Sequence, residues 1–423
     1  MPVIGAEPST RAKVAYLSNL FPCPVEPYVS EEIEELERRG VAVTPCSVWR
    51  SAAKQSPHIP NPLTVFTLQP WPWLVALGLC IRRATELSDI FRCLVDPSGE
   101  TWRQRARGFA HTVLGARLAL LLRDKNVRHI HIHHGYLAAW IGMVAARLLR
   151  IPYSLTLHGS DLLVRPAFLD IKLRHCAVCF TVSEFNRCHL LHHYPNIDPE
   201  KVIVQRMGVS IPPMVHREDG ERDPKRIFSL LAVGRLHPVK DHAFLIRACA
   251  ALKASGNRVL CCIAGEGPER DRLRSMIHNL GLAEEIQLLG HVPRHQLPAL
   301  YSAADLVVLT SRSEGIPLTL MEAMVLGRFV LASAITGIPE LVSNGKTGFL
   351  FNPGSITDFI RQVEFIQRTY SAQEPVRAAA RAHVEKFFNL RTTLQQFSDS
   401  FLQRILGEQE SVHADSLLQQ VQL

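Results

Sequence analysis

Apolar residues in this chain come in short runs that alternate with amphipathic stretches, the pattern left by strands and helices in turn. "KVAYLSNLF", from Lys13, reads as an apolar strand; a proline-rich turn follows, and then "VSEEIEELERRGV", a helix with a glutamate-rich first turn. Further on, "HIHIHH" (129–134), "YSLTLHG" (153–159) and "CAVCFTVS" (176–183) are strand-like, separated by helical stretches such as "LAAWIGMVAARLLR". Residues 209–226, "VSIPPMVHREDGERDPKR", are rich in proline and charge and predict a linker. A second series then predicts strands at 227–235, 259–267, 286–292, 304–311 and 329–335, with helices between them such as "AFLIRACAALKASG" and "ERDRLRSMIHNLGL". Strands that alternate with helices imply parallel sheets. The expected fold class is α/β: two Rossmann-like β/α/β domains facing a central cleft, at 1–208 and 227–375, with 405–423 as a frayed tail.

One segment departs from this rhythm. "LTVFTLQPWPWLVALGLCIRRA" (63–84) combines Trp71, Trp73, an apolar run and Arg82-Arg83. The run is well short of the roughly 20 residues that cross a bilayer, so the choice lies between a helix in the membrane interface and a core helix capped by arginines.

Composition narrows the class. With 423 residues the chain suits two or three domains, and 47% hydrophobic against 20% charged residues is a folded soluble composition. The net charge of +8 favours anionic partners. No basic stretch interleaved with aromatics marks a nucleic-acid platform, so nucleic acid is not an expected partner. Ten irregularly spaced cysteines and a start, "MPVIGAEPST", without secretory-signal features predict a cytoplasmic protein, and the interfacial reading of 63–84 would put it at the inner face of the membrane. Cys176 and Cys179 form a C-x-x-C with no second pair at zinc spacing, and core thiols are expected.

The chemistry concentrates in three places. In "SRSEGIPLTLMEAM" two glutamates, Glu314 and Glu322, bracket seven uncharged residues. Gly315 and Ile316 lead to Pro317, which suits a first helical position, and the free N–H groups of Leu318 and Thr319 then make an anion site. A carboxylate accepts two hydrogen bonds, which fits the vicinal hydroxyls of a ribose or a sugar. The competing reading is an acidic first turn that stabilises the helix. In "VGRLHPVKD", Arg235 and Lys240 follow a strand end, where open α/β sheets bind ligands, and both could reach a diphosphate. In "LTLHGSDLL" a strand delivers His158 to its carboxyl end, with Asp161 beyond a glycine; the imidazole could meet a sugar hydroxyl or merely cap its loop.

Together these motifs resemble a known family. The strand ending in "GRL" with its following lysine, "AGEGP", and "SRSEGIPLTLMEAMVLGRFVLASAITGIPELVSNGKTGFLF" are similar to the carboxyl-terminal half of family-4 retaining glycosyltransferases with the GT-B fold. "LFPCPVEPYVSEEIEELERRG", "HIHHG" and "TLHGSD" resemble the branch that builds bacterial exopolysaccharides and colanic-acid-like polymers. The resemblance implies a hexosyltransferase in which Glu322 binds the ribose of a UDP- or GDP-linked sugar, Arg235 and Lys240 hold its diphosphate, and Glu314 with the amides after it positions the donor sugar. His158 is implied at the catalytic site, with Asp161, His131 and His133 on the acceptor side, and a saccharide or lipid-linked molecule as acceptor. A last helix over 376–404 would cross back to the first domain. Relatives carry a glycine pair in the first β-α loop, where this chain has "NLFPCPVEPY".

No Asp-x-Asp occurs, so cations and helix amides are expected to replace a metal, and no cofactor is expected. His129, His131 and His133 share one face of a strand and form a potential metal comb, although zinc generally requires a fourth ligand. The alternatives to transfer are a hydrolase, epimerase or phosphorylase on the same fold, or a catalytically silent nucleotide- or membrane-binding scaffold.

Overall fold

Parallel strands are buried on both faces, so their sequences read as nearly continuous apolar runs, and helices must cover both sides. The computed structural model describes residues 13–53, 59–96, 100–163, 167–213 and 227–407, and both of its sheets are of this kind. Two units result. The first holds the chain to Val182, Arg187–Gln205 and everything from Leu394; the second holds Ser183–Asn186 and Arg206–Thr393.

The first unit has seven parallel strands: β1 (Lys13–Phe21), β2 (Ala42–Arg50), β3 (Leu63–Thr64), β4 (His129–His133), β5 (Tyr153–Leu157), β6 (Val178–Thr181) and β7 (Val202–Val204), in the order β3-β2-β1-β4-β5-β6-β7. Alternation along β1 sends Ala15 and Leu17 to one face, against Ile130, Ile132 and Trp140, and Val14 and Tyr16 to the other, against Ile33, Leu36, Phe180, Phe397 and Phe401. Burying the last two phenylalanines contributes roughly 1.5–3 kcal/mol each relative to exposure, which holds the end of the chain in this unit. The strand order reverses between β1 and β4, and open sheets offer their ligand crevice at the carboxyl ends of strands at such a point.

The second unit has six: β8 (Phe228–Val233), β9 (Val259–Ala264), β10 (Ile286–Gly290), β11 (Leu306–Leu309), β12 (Phe329–Ser333) and β13 (Phe349–Phe351), in the order β10-β9-β8-β11-β12-β13. Its reversal lies between β8 and β11, so the loops after those two strands flank the crevice position.

Three differences from the sequence reading have physical causes. The single returning helix expected over 376–404 is two helices, Glu374–Phe387 and Leu390–Phe401. Val209 separates them: its N–H donates to Phe388 O at 2.9 Å and its carbonyl accepts from Leu390 N at 3.0 Å, so the helical ladder is interrupted there. The first of the pair stays in the second unit, where Arg381 donates to Val325 O and Pro212 O. The expected linker lies outside the described residues from 214 to 226, while 206–213 belongs to the second unit, and the tail lies outside from 408. Lastly, the helix Pro70–Arg82 is neither wholly core nor wholly exposed. Ala76 and Cys80 are buried, whereas Trp71, Leu74, Val75, Leu77 and Ile81 are exposed.

Cys176 and Cys179 are free and buried, and burial pushes the Cys176 thiol up to about 12. They are core thiols in the structure.

Candidate functional site

In the second unit, the loops after β8 and β11 are tied together. Thr310 Oγ1 donates to the carbonyls of Lys240 and Asp241 (3.1 and 3.2 Å), and Arg312 bonds Val239 O through its N–H and Asp241 through its guanidinium, both at 2.8 Å. This brings Lys240 to Glu314: Lys240 Nζ lies 2.5 Å from Glu314 Oε1, and Ser311 Oγ donates to the same oxygen at 2.5 Å. Glu314 is also held by its backbone, since Thr336 Oγ1 donates to its carbonyl at 2.6 Å and accepts from its N–H at 3.2 Å. A lysine and a carboxylate far apart in sequence thus form one preorganised pair.

Pro317 occupies the cap position, and the helix runs Leu318–Val325. Gly315, Ile316 and Pro317 are buried, Leu318 and Thr319 half-buried. Glu322, inside this helix, accepts from Tyr301 Oη at 2.9 Å and lies 3.8 Å from Arg294 Nε. Burial raises its carboxyl above the usual range, against the opposing pull of Tyr301 and Arg294. Arg235 is exposed at the end of β8. The structure therefore gathers Glu314 with Lys240 and gives Glu322 its own partners, Tyr301 and Arg294, so the two carboxylates are differently employed.

Gly337, in the loop after β12, lets that loop approach the Gly315 backbone closely. A Cβ there would come within 2.2 Å of Gly315 O. Gly337→Ala is expected to push the Glu314–Gly315 segment aside and to destabilise the unit by about 1–3 kcal/mol, read as a lower denaturant midpoint at unchanged slope.

The first unit carries a second cluster at the ends of β4 and β5. Asp161 is buried, and its oxygens accept from the N–H groups of Gly135 (3.1 Å), His158 (3.0 Å) and Gly159 (2.8 Å). His134, with φ of +71°, points its ring between Asp161 (Nδ1 to Oδ2, 3.5 Å) and Glu26 (Nε2 to Oε1, 3.2 Å). Burial alone would lower His134, but these two carboxylates raise it to about 10, so it is an imidazolium. Burial pushes Asp161 up, and His134 with the Gly159 N–H more than offsets this, holding the carboxyl well below its usual range.

His158 sits beside this cation. Its Nε2 is 3.0 Å from His133 Nδ1, and its ring lies 4.4 Å from that of Tyr28. Burial, then the charge of His134, lowers it well below the ordinary histidine value, so the ring is neutral. His133 Nε2 lies 3.1 Å from Glu32 Oε2, which also accepts from Tyr16 Oη.

Asp161 and His131, expected on the acceptor side, are both buried in this arrangement. Asp161 organises backbone, and His131 is buried with Ser154 Oγ at 2.7 Å and Thr156 Oγ1 at 3.0 Å on its two nitrogens. The same fact bears on metal. Glu32, His131 and His133 have donor atoms within 4.8 Å of one another, but His131 has no nitrogen to spare. His129 likewise meets Ser154 Oγ at 2.8 Å.

Sequence reasoning missed His134, Glu26, Tyr28 and Glu32 as parts of this cluster, and Thr336 and Tyr301 in the other unit. His134 falls where strand alternation ends, so a periodicity argument stops one residue short of it.

Comparisons with known proteins agree with this division. Residues 25–211 match the family described as Glycosyltransferase Family 4, and residues 216–383 match Glycosyl transferases group 1. WcaL of Salmonella typhimurium, provisionally named a colanic acid biosynthesis glycosyltransferase, is 36% identical over 49% of this chain and 52% of its own. The amylovoran biosynthesis glycosyltransferase AmsK of Erwinia amylovora is 32% identical over 47% of this chain and 50% of its own. The chain spans about half the length of the curated relatives it matches. Among solved structures, Anabaena HepE in complex with UDP-glucose superposes with a TM-score of 0.70 at 21% identity, covering 92% of this chain and 99% of that one. Sucrose-phosphate synthase from Thermosynechococcus elongatus gives 0.71 at 17% identity, covering 93% and 99%.

Proposed function

Because the chain belongs to the glycosyltransferases, with a Family 4 domain followed by a group 1 domain in the GT-B fold, we propose that it moves a hexosyl unit from a UDP- or GDP-linked sugar to a saccharide or lipid-linked acceptor in exopolysaccharide synthesis. The observation that carries this reading is the Lys240–Glu314 pair, set by two loops before a helix N-terminus at the second sheet's switch point. HepE, which holds UDP-glucose, and WcaL and AmsK, named for polymer biosynthesis, support the donor class and the pathway class.

In this mechanism Arg235 and Lys240 bind the diphosphate, with the N–H groups of Leu318 and Thr319. Glu322 holds the ribose, and Glu314 the transferred sugar. As the bond from the anomeric carbon to phosphate breaks, negative charge grows on the leaving diphosphate, and fixed cations and N–H groups stabilise it most in that state. The acceptor hydroxyl attacks from the same side and gives its proton to the departing phosphate oxygen, so the anomeric configuration is retained. The neutral imidazole of His158 serves a saccharide hydroxyl. This chemistry calls on protein cations and requires neither a metal nor a further cofactor. The enzyme works at the cytoplasmic face of the membrane, which residues 63–84 contact; among the described residues no helix is long and apolar enough to cross one.

The test is a thermal-shift screen of nucleotide sugars. A donor at about 1,000 times its dissociation constant stabilises the fold by roughly 4 kcal/mol. One base and sugar class is expected to raise the melting temperature in the wild type and not in Lys240→Ala. Failure of every nucleotide sugar to shift the protein would refute the reading.

A further inference from the structure

The helix Pro70–Arg82 has two apolar faces, and among the described residues only one of them has a partner. Trp73, Ala76 and Cys80 turn inward, with Trp73 Nε1 donating to Thr67 O at 2.9 Å and Cys80 Sγ to Thr112 O at 3.8 Å. Trp71, Leu74, Val75, Ile81 and Arg82 fall at positions i, i+3, i+4, i+10 and i+11, one face of a 3.6-residue helix, and that face is exposed, Trp71 by 71% and Ile81 by 68%. Leu68, just before the helix, is 92% exposed. A water-facing helix would carry charge here, yet none occurs from Gln55 to Ile81.

Charge begins where the apolar face ends. Arg82 is exposed and has no ion-pair partner among the described residues, and Arg83 follows, paired with Glu86. The neighbouring helix Trp102–Leu122 runs antiparallel, since Cys80 meets Thr112 while Val65 O accepts from Arg117. Its first turns therefore lie beyond the arginine end. They expose Trp102 and Phe109 together with Arg103 and Arg107, neither of which has an ion-pair partner among the described residues.

We propose that the exposed face of Pro70–Arg82, continued by Trp102, Arg103, Arg107 and Phe109, is a docking surface for a bilayer rich in anionic lipid. Tryptophans at an apolar face with arginines beside it match the two layers of a membrane boundary: indole and aliphatic groups enter the acyl edge, and guanidinium groups stay with headgroup phosphates. The charge-free run gives the apolar component. The unpaired arginines supply the preference for negative headgroups, each worth about fivefold in partition near an anionic surface. The helix lies in the interface and does not span it, because its apolar run is too short. The inference rests on the membrane-face reading above, and it adds a lipid class and a second helix that residues 63–84 do not include.

The test uses the full chain with vesicles of phosphatidylcholine alone and with about one-third phosphatidylglycerol, measured by co-sedimentation and tryptophan emission. Binding is expected to be at least about tenfold stronger on the anionic vesicles and to weaken with salt. Trp71→Glu with Leu74→Glu is expected to abolish it on both, and Arg103→Glu with Arg107→Glu to remove the anionic preference. Equal binding of wild type and the Trp71/Leu74 variant, or no binding to either vesicle, overturns the proposal, as does a wild-type dimer in solution that this variant turns into monomers. Both double variants are expected to keep the nucleotide-sugar thermal shift. Loss of vesicle binding with that shift intact separates surface from site, whereas vesicle binding without any shift in the wild type sinks the transferase reading alone.

Discussion

Glu314→Ala is expected to lower kcat/KM by about 10²–10³, roughly 3–4 kcal/mol of transition-state stabilisation, while the fold stays intact. The carboxylate lies at 12% side-chain exposure with Lys240 at 19%, so the pair is largely buried, and a denaturant midpoint measured beside the kinetics separates any loss of stability from the loss of activity. Activity is another matter. Without Glu314, Lys240 loses the group 2.5 Å away that fixes its ammonium, and Ser311 loses its acceptor. A cation that must be repositioned as charge develops stabilises the transition state less than one already in place. Steady-state kinetics with the donor identified by thermal shift measures this directly, and a Glu314→Ala enzyme within about threefold of wild type would remove Glu314 from the mechanism. Glu314→Gln keeps an acceptor for Ser311 without the charge and should fall between the two.

His134→Ala is expected to cost on the order of 2–4 kcal/mol at neutral pH. It removes an imidazolium held between Asp161 and Glu26 and leaves Asp161 a buried carboxylate supported by backbone N–H groups alone. The His134 value is raised from 6.5 to about 10, so the folded state binds a proton that the unfolded state has released between those values. Its contribution is fully present below the unfolded value and disappears as pH rises through about 10. Lys172 titrates in the opposite sense. Its amine donates to the carbonyls of Gly135, Tyr136 and Ala167, and burial lowers it to about 7, so it favours folding increasingly as pH rises above that value. The raw pH–stability curve mixes the two, and the difference between wild type and His134→Ala isolates the first. Denaturant midpoints should show that difference shrinking between about pH 7 and about pH 10; a constant difference would mean that His134 is not charged in the fold.

Several elements were legible in the sequence because local physics decides them. β1 reads directly from "KVAYLSNLF", and the helix at Leu318 reads from Pro317 and the apolar residues after it. Others were hidden by a local rule that the fold overrides. Pro45 argues against a strand, yet β2 contains it, because β3 pairs only with Cys46 and Ser47 and leaves the β3-facing side of Pro45 open. The helix break at Phe388 could not be read from 376–404, since its cause, Val209, is distant in sequence. Likewise the amphipathic pattern of 63–84 showed an apolar helix but not which of its faces the neighbouring helix would take.

By itself, then, the sequence determined the alternation of strands and helices, the two sheets, and which residue types stand at the strand ends, because periodicity and turn chemistry act over a few residues. Only the tertiary structure decided partnership: that Lys240 meets Glu314, that Glu322 goes to Tyr301, that Asp161 meets backbone N–H groups and His131 meets Ser154, and that His134 is the charged neighbour of His158. Hydrogen bonds and desolvation depend on what lies within a few ångströms in space, and parallel sheets bring together residues that are far apart along the chain.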